Sequence, residues 1–154
     1  MDGSPGAIKY PDAKTFAYED GKRYEEFVST KAKALWGLTL HFHEGKEAQL
    51  LGETMEGLEV KFDGRLKETG NLYIETAEKS RAAKTYYYPS GIFREDNTRA
   101  IWIGDYKEAF VISKKVLQDV YVANTNKKVQ ISTSQGFLLP KEQAKRIAKY
   151  YFQF

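Results

Sequence analysis

A single α/β domain, with a central mixed β-sheet flanked by helices, is the fold class that three features of the sequence predict. Several short segments alternate apolar and polar residues, the period of a half-buried strand. Other segments space their apolar residues by three and four, the period of one helical face. The order is helix, several strands, helix, strand, helix, which suits a mixed sheet with helices beside it. At 154 residues with 42% apolar content, the chain can bury one core and is short for two.

The first predicted helix runs from Gly21 to Leu35, with Tyr24, Phe27, Val28, Ala32 and Leu35 on one face and Asp20 or Gly21 as its cap. Gly37 stops it, and Leu38-Thr-Leu-His-Phe-His43 alternates as a strand before the turn at Glu44-Gly45-Lys46. A short apolar piece, Ala48 to Leu51, leads to a second strand, Leu58 to Asp63. Asn71 to Glu75 alternates again, so the two are expected to form one antiparallel hairpin. Lys79 to Tyr88 reads as a loop over the active face, and Pro89-Ser-Gly91 as a turn. Arg99 to Gly104 and Glu108 to Ile112 are two strands around the turn at Asp105-Tyr-Lys107, followed by a helix from Lys114 to Val122 and an edge strand from Val129 to Ser132. Pro140 is expected to open a C-terminal helix with Ala144, Ile147, Ala148 and Tyr151 on one stripe.

Composition excludes several classes of chemistry. The formal net charge of +3 is far below that of a histone-like protein, and alone says little about nucleic acid. Cysteine is absent, which removes disulfides, cysteine–zinc sites and thiol nucleophiles together. No apolar run approaches the roughly 20 residues of a membrane span. The opening residues lack a basic and an apolar region, so a soluble, cytoplasmic protein is expected. Any disorder is expected within residues 1–8, Met1 to Gly6 above all.

The polar face of Leu58 to Asp63 carries the chemistry. Glu59, Lys61 and Asp63 share one side and Leu58, Val60 and Phe62 the other, because strand side chains alternate. An acid, a base and an acid in a row suit phosphodiester hydrolysis. That reaction needs a hard cation held by carboxylates, an activated water, and positive charge where the transition state gains negative charge. A second carboxylate should arrive from nearby: Glu53, or Glu56 if the Thr54-Met55 connection bulges. On the first helix Glu25 is favoured over Glu26 as a further acid, since Tyr24, Phe27 and Val28 define the buried side. Alternating Glu and Lys on a strand also occurs merely as a solvated face.

The stretch Leu58-Glu-Val-Lys-Phe-Asp63, then Thr69-Gly-Asn-Leu-Tyr-Ile-Glu75 and Pro89-Ser-Gly-Ile92, resembles the core of small PD-(D/E)xK, restriction-endonuclease-like nucleases, many of them from phages and mobile elements. The resemblance spans about Gly21 to Leu117. It implies a restriction-endonuclease-like core and magnesium-dependent hydrolysis of DNA, with Mn²⁺ able to replace Mg²⁺. Carried over by position, Glu59 and Lys61 become the (D/E)xK pair, Glu25 or Glu26 the helix acid, and Glu53, Glu59 and Val60 the metal set. The family's first sheet acid is usually aspartate, whereas Glu53 stands here, at a spacing similar to that of mismatch-repair nicking endonucleases. A second assignment takes Asp63 and Glu75 as the acids. Its lysine would have to be Lys79, because Ala77 occupies the usual place. Asp63 and Glu75 are therefore kept as supporting residues that would orient Lys61 or bind a second metal, with Lys79 and Glu26 as further supporting residues. A catalytically inactive DNA-binding module on the same fold and a structure-selective junction resolvase are the alternatives.

Arg81, Lys84 and Tyr86 mix cations with aromatics, which suits phosphate contact and base stacking, and Lys114 and Lys115 would extend that surface. His41 and His43 read as the polar face of a strand, and Arg94, Asp96, Asn97 and Arg99 as a scaffold turn. The aromatic end Tyr150-Tyr-Phe-Gln-Phe154 is expected to dock on its own domain or on a second copy. Homodimerisation would let one site per chain cut both strands of a duplex.

Overall fold

A computed structural model describes residues 13–154 of the chain as one α/β domain with two four-stranded sheets. The expectation of disorder in residues 1–8 lies outside the described residues. The elements are α1 (Ala13–Trp36), α2 (Lys46–Gln49), β1 (Leu58–Phe62), α3 (Leu66–Thr69), β2 (Asn71–Glu78), β3 (Tyr88–Pro89) and a 3₁₀ turn (Gly91–Phe93). They continue as β4 (Ala100–Gly104), β5 (Glu108–Ser113), α4 (Lys114–Ala123), β6 (Lys128–Ile131), β7 (Ser134–Pro140), α5 (Lys141–Ile147) and β8 (Tyr150–Gln153). No helix among the described residues is long and apolar enough to cross a membrane.

The first sheet is mixed, in the order β1-β4-β5-β8, with β1 parallel to β4 and the other pairs antiparallel. The second is antiparallel, in the order β3-β2-β7-β6. One face of the mixed sheet presents Leu58, Val60, Trp102 and Val111 to Tyr24, Val28 and Ala32 of α1, which fall one turn apart and are all fully buried. Its other face presents Ile101, Ile103, Phe110 and Ile112 to Leu72, Ile74, Phe137 and Leu139 of the second sheet, and to Leu117 of α4 and Ala144 of α5. The layers are thus α1, the mixed sheet, and then the second sheet with α4 and α5.

α1 is anchored by a buried polar relay. Trp102 donates its indole N–H to the Tyr24 hydroxyl at 3.0 Å, and that hydroxyl donates to the Asp105 carbonyl at 3.0 Å. The helix ends where expected: Gly37, at φ +66°, donates to Lys33 O, and Leu38 N donates to Ala32 O. This paired closure needs a left-handed residue and so favours glycine. The helix begins earlier than Asp20 or Gly21, because a lone glycine costs a helix only about 1 kcal/mol and does not stop it.

Three expectations are corrected. Leu38 to His43 forms only a single bridge, Phe42 to Thr54, in place of a strand. The hairpin between Leu58–Asp63 and Asn71–Glu75 does not exist, since α3 intervenes and delivers β2 to the other sheet. Asp63 makes that crossing, its carboxylate accepting from Arg65 N at 3.2 Å and Tyr73 N at 3.0 Å. The C-terminal helix stops at Ile147, because Lys149 N donates to Val111 O and draws the chain into the sheet as β8. Alternation then places Phe152 and Phe154 on Trp102, at ring centroids of 5.5 and 6.1 Å, and Tyr151 on Phe110. The aromatic end thus docks on its own domain. β7 is a further strand beyond those expected, and its Gly136 lets Tyr73 of β2 lie close against it.

Tyr24→Phe removes the acceptor of the Trp102 indole and the donor to Asp105 while keeping the ring. It should lower stability by about 1–3 kcal/mol, read as a lower urea midpoint at unchanged slope. An unchanged midpoint would show that the relay does not anchor α1.

Candidate metal and catalytic centre

β1 is an edge strand. Its inner side pairs with β4, so every second residue of β1 turns its main-chain groups outward. Asp63 N donates to Gly104 O at 2.7 Å. By alternation Glu59 and Lys61 also turn their amides toward β4, and Val60 turns its own away. The Val60 amide is met there by Glu53, whose carboxylate accepts it at 3.1 Å. A strand residue's carbonyl lies on the same side as its amide, so Val60 O opens onto this edge beside Glu53.

Glu53 is held there from both sides. His43 N donates to Glu53 O at 2.9 Å, and the His43 ring meets Gly52 O at 2.7 Å. Asn97 N donates to Leu51 O, and its amide group donates to Thr54 O at 2.8 Å. Buried Thr54 closes the following turn by exchanging hydrogen bonds with the Leu58 main chain. Gly52, at φ +129°, has no room for a side chain, since a Cβ would lie 1.7 Å from Asn97 Oδ1.

Glu25, Glu53, Glu59, Val60 and Lys61 line one cleft of about 500 Å³ together with Arg94. Glu59 is buried, whereas Lys61 beside it on the same face is exposed through the cleft mouth. The two alternatives left open by the sequence are thereby separated. Glu56 is engaged by His41, through its main-chain N–H at 2.7 Å and its ring at 2.7 Å, and stands away from the cleft. Glu26 is exposed on α1, while Glu25 faces inward beside Lys22.

Crowding of acids sets the electrostatics. Burial pushes the Glu53 carboxyl from its ordinary 4.5 up to about 8, and the charges of Glu59 and Glu25 add to the rise against Lys61 and the Val60 N–H. Burial also raises Glu25, opposed by Lys22 and Lys61. The carboxylate of Glu59, with those of Glu53 and Glu75, holds the Lys61 ammonium above its ordinary pKa, against partial desolvation by the surrounding cleft and the charge of Arg94. Lys61 is therefore a fixed positive charge while the acids are ionised, and neutralising them would bring it down. Among the described residues no three histidines or carboxylates form a cage for an ion. The donor set on offer is two carboxylates, Glu53 and Glu59, and the main-chain oxygen of Val60.

The supporting residues have other partners. Asp63 spends its carboxylate on the β1-to-β2 crossing, as above, and burial pushes its pKa up. That leaves it poorly placed to orient Lys61. Glu75 faces the same region from β2, its oxygens accepting from Ser90 at 2.9 Å and Ser134 at 2.7 Å. Lys79 lies over the Tyr87 ring, 5.1 Å from its centre. Arg81, Lys84 and Tyr86 are exposed on the loop after β2. Lys114 is corrected: it is buried, donates to Arg94 O and pairs with Asp96 at 3.0 Å, so it is not free to meet a phosphate. Lys115 pairs with Asp119 on the surface at 2.8 Å. Arg94 was read as scaffold and instead lines the cleft.

Comparisons with family models, with curated proteins and with solved structures gave no match.

With a folded pKa raised above its unfolded value, Glu53 keeps a proton in the folded state between about pH 4.5 and 8 that the unfolded chain has lost. Its contribution to stability is thus full below that window and falls as pH rises through it, by at most roughly 3–5 kcal/mol. Glu53→Gln, which still accepts the Val60 N–H, should match wild type in urea midpoint near pH 4.5 and exceed it near pH 8. A pH-independent difference would contradict this electrostatic account.

Proposed function

We propose that the chain is a metal-dependent deoxyribonuclease of the PD-(D/E)xK kind, hydrolysing phosphodiester bonds in the cleft at the open edge of β1. The observation that carries this reading is the convergence of Glu53, Glu59, the outward Val60 carbonyl and Lys61 at one strand edge. The donors are all hard oxygens, which suits Mg²⁺, with Mn²⁺ as a substitute. Glu53, Glu59 and Val60 O would hold the ion. When bound, it supplies polarisation of the phosphate and acidification of a water.

The chain's own groups do the rest. Lys61 extends from the same face as Glu59 and presents a charged N–H donor where a phosphate oxygen or the attacking water would lie, stabilising negative charge as it develops. Arg94 stands on the cleft wall with a planar fork of donors matched to two phosphate oxygens. The Lys114–Asp96 pair and the Lys114 bond to Arg94 O fix the main chain from which Arg94 projects. Glu25, fixed by α1, offers a further carboxylate to hold or accept a proton from water. Exposed Arg81, Lys84 and Tyr86 would contact the DNA backbone and bases beyond the cleft. A homodimer would bring two such sites to the two strands, and sedimentation with and without DNA would report it.

Supercoiled plasmid should be nicked or linearised with Mg²⁺ or Mn²⁺ and left intact with EDTA. Glu59→Ala and Lys61→Ala should each lose about 10²-fold or more in rate, the scale of deleting one preorganised charge-stabilising group. Absence of cleavage by pure wild type on plasmid, single-stranded and branched DNA would replace this reading with a binding module. Preference for branched over linear DNA would assign a resolvase.

A further inference from the structure

Lys61 and Glu59 border two cavities. Beyond them from the acidic cleft, between the two sheets, lies a second cavity of about 570 Å³. Its walls are branched aliphatic side chains: Ile101 and Ile103 from β4, Ile74 from β2 and Ile92 from the 3₁₀ turn. Ile131 on the edge strand β6 also lines it and is 52% exposed, which places it at the mouth. Polar groups also line it: buried Glu59, then Asp63, Tyr73 and Glu75, with the Glu75 carboxylate steadied by Ser90 and Ser134, and the cations Lys61 and Arg65.

We infer that this cavity receives the base of an unpaired nucleotide next to the phosphate held at Lys61, so that the enzyme acts where a base has left the stack. Four observations support that occupant. The volume lies within the roughly 300–1,000 Å³ of small-molecule sites, ample for a nucleobase and its sugar. Apolar walls from the isoleucines and Phe62, with acceptors and donors beside them, suit a ring whose faces are apolar and whose polarity is confined to its edge. Glu75 accepts an exocyclic amino group, while Lys61 and Arg65 donate to ring carbonyls. The cavity adjoins the cleft, sharing Glu59, Lys61 and Phe62 with it, so a phosphate there and a base here can belong to one nucleotide. A base stacked in a duplex cannot reach between the sheets, and extruding one costs a few kcal/mol, least where it is mismatched.

The inference rests on the nuclease reading for the identity of the polymer, and its test keeps the two apart. Oligonucleotide duplexes of one sequence are compared with Mg²⁺: fully paired, with one mismatched nucleotide, and with an abasic site in its place. The mismatched duplex should be cut about 10- to 100-fold faster than the paired one, since each 1.4 kcal/mol saved is a factor of ten. The abasic site should forfeit part of that advantage. Ile131→Glu, at a half-exposed position, should drive the mismatched-to-paired ratio toward one. In parallel, 2-aminopurine at the mismatched position is followed in EDTA at protein concentrations that saturate fluorescence anisotropy. Its emission should rise as the base leaves the stack with wild type and not with Ile131→Glu. Equal cutting of paired and mismatched duplexes, with no rise in emission, would overturn the base pocket and leave the nuclease standing. No cutting of any duplex would remove the nuclease reading, and the 2-aminopurine signal would then decide the pocket alone.

Discussion

The open edge of β1 is the constraint on which the rest of the site depends. An edge strand leaves alternate main-chain groups without partners, and such an edge must be covered or satisfied. Here a carboxylate does it: Glu53 accepts the Val60 N–H at 3.1 Å. That one bond fixes an acid at the strand's flank and sets it beside the carbonyl of the same residue. Alternation brings Glu59 and Lys61 to the neighbouring face. The bend at Gly52 and the turn closed by Thr54 exist to return the chain to this edge, and His43 and Asn97 brace them. The cost is electrostatic, since a carboxylate buried next to two others resists ionisation.

The helix and the second sheet are located by the opposite faces of the same sheet. α1 is tied through Tyr24 to Trp102 and Asp105, and Tyr24 is immediately followed by Glu25. A relay that anchors the helix thus also aims its acid into the cleft. On the far side, α3 and the two-pronged Asp63 carboxylate turn the chain from one sheet into the other. The apolar cavity lies between the sheets that this crossing separates, next to the catalytic candidates.

Much of the site was legible because it depends on strand alternation, which sequence displays directly. The shared face of Glu59 and Lys61 follows from period-two spacing, and the inward Glu25 from helical spacing. The choice of Glu53 over Glu56 was not fixed by spacing, since it turns on a positive-φ glycine and on the capture of Glu56 by His41. The pairing of strands was misread for a related reason. Alternation announces a strand but not its partner, so β1 and β2 looked like a hairpin until α3 separated them. At the C-terminus, Ala144 and Ile147 gave a true helical stripe, but Tyr150 to Phe154 alternates, and the aromatic rings on Trp102 reward extension. Lys114 and Arg94 exchanged expected roles through one buried ion pair that no local pattern reveals.

The charge balance of the cleft links this architecture to its chemistry. Glu25, Glu53 and Glu59 oppose Lys61, with Arg94 and Lys22 also on its walls. A phosphate entering meets Glu25, Glu53 and Glu59, with Asp20 also on the wall, and inside a low-dielectric cleft their repulsion is not screened as it is in bulk water. Either protons or a cation must answer them. Protonating Glu53 alone would spend the acid without supplying a Lewis acid, whereas a divalent ion would relieve all three carboxylates and attract the phosphate. Relief of those carboxylates also withdraws the field that raises Lys61, so occupation of the strand edge and the proton affinity of the lysine are coupled through Glu59. On the proposed reading, the acidity that disfavours an empty cleft is what makes its occupied form selective for a cation and its phosphate together.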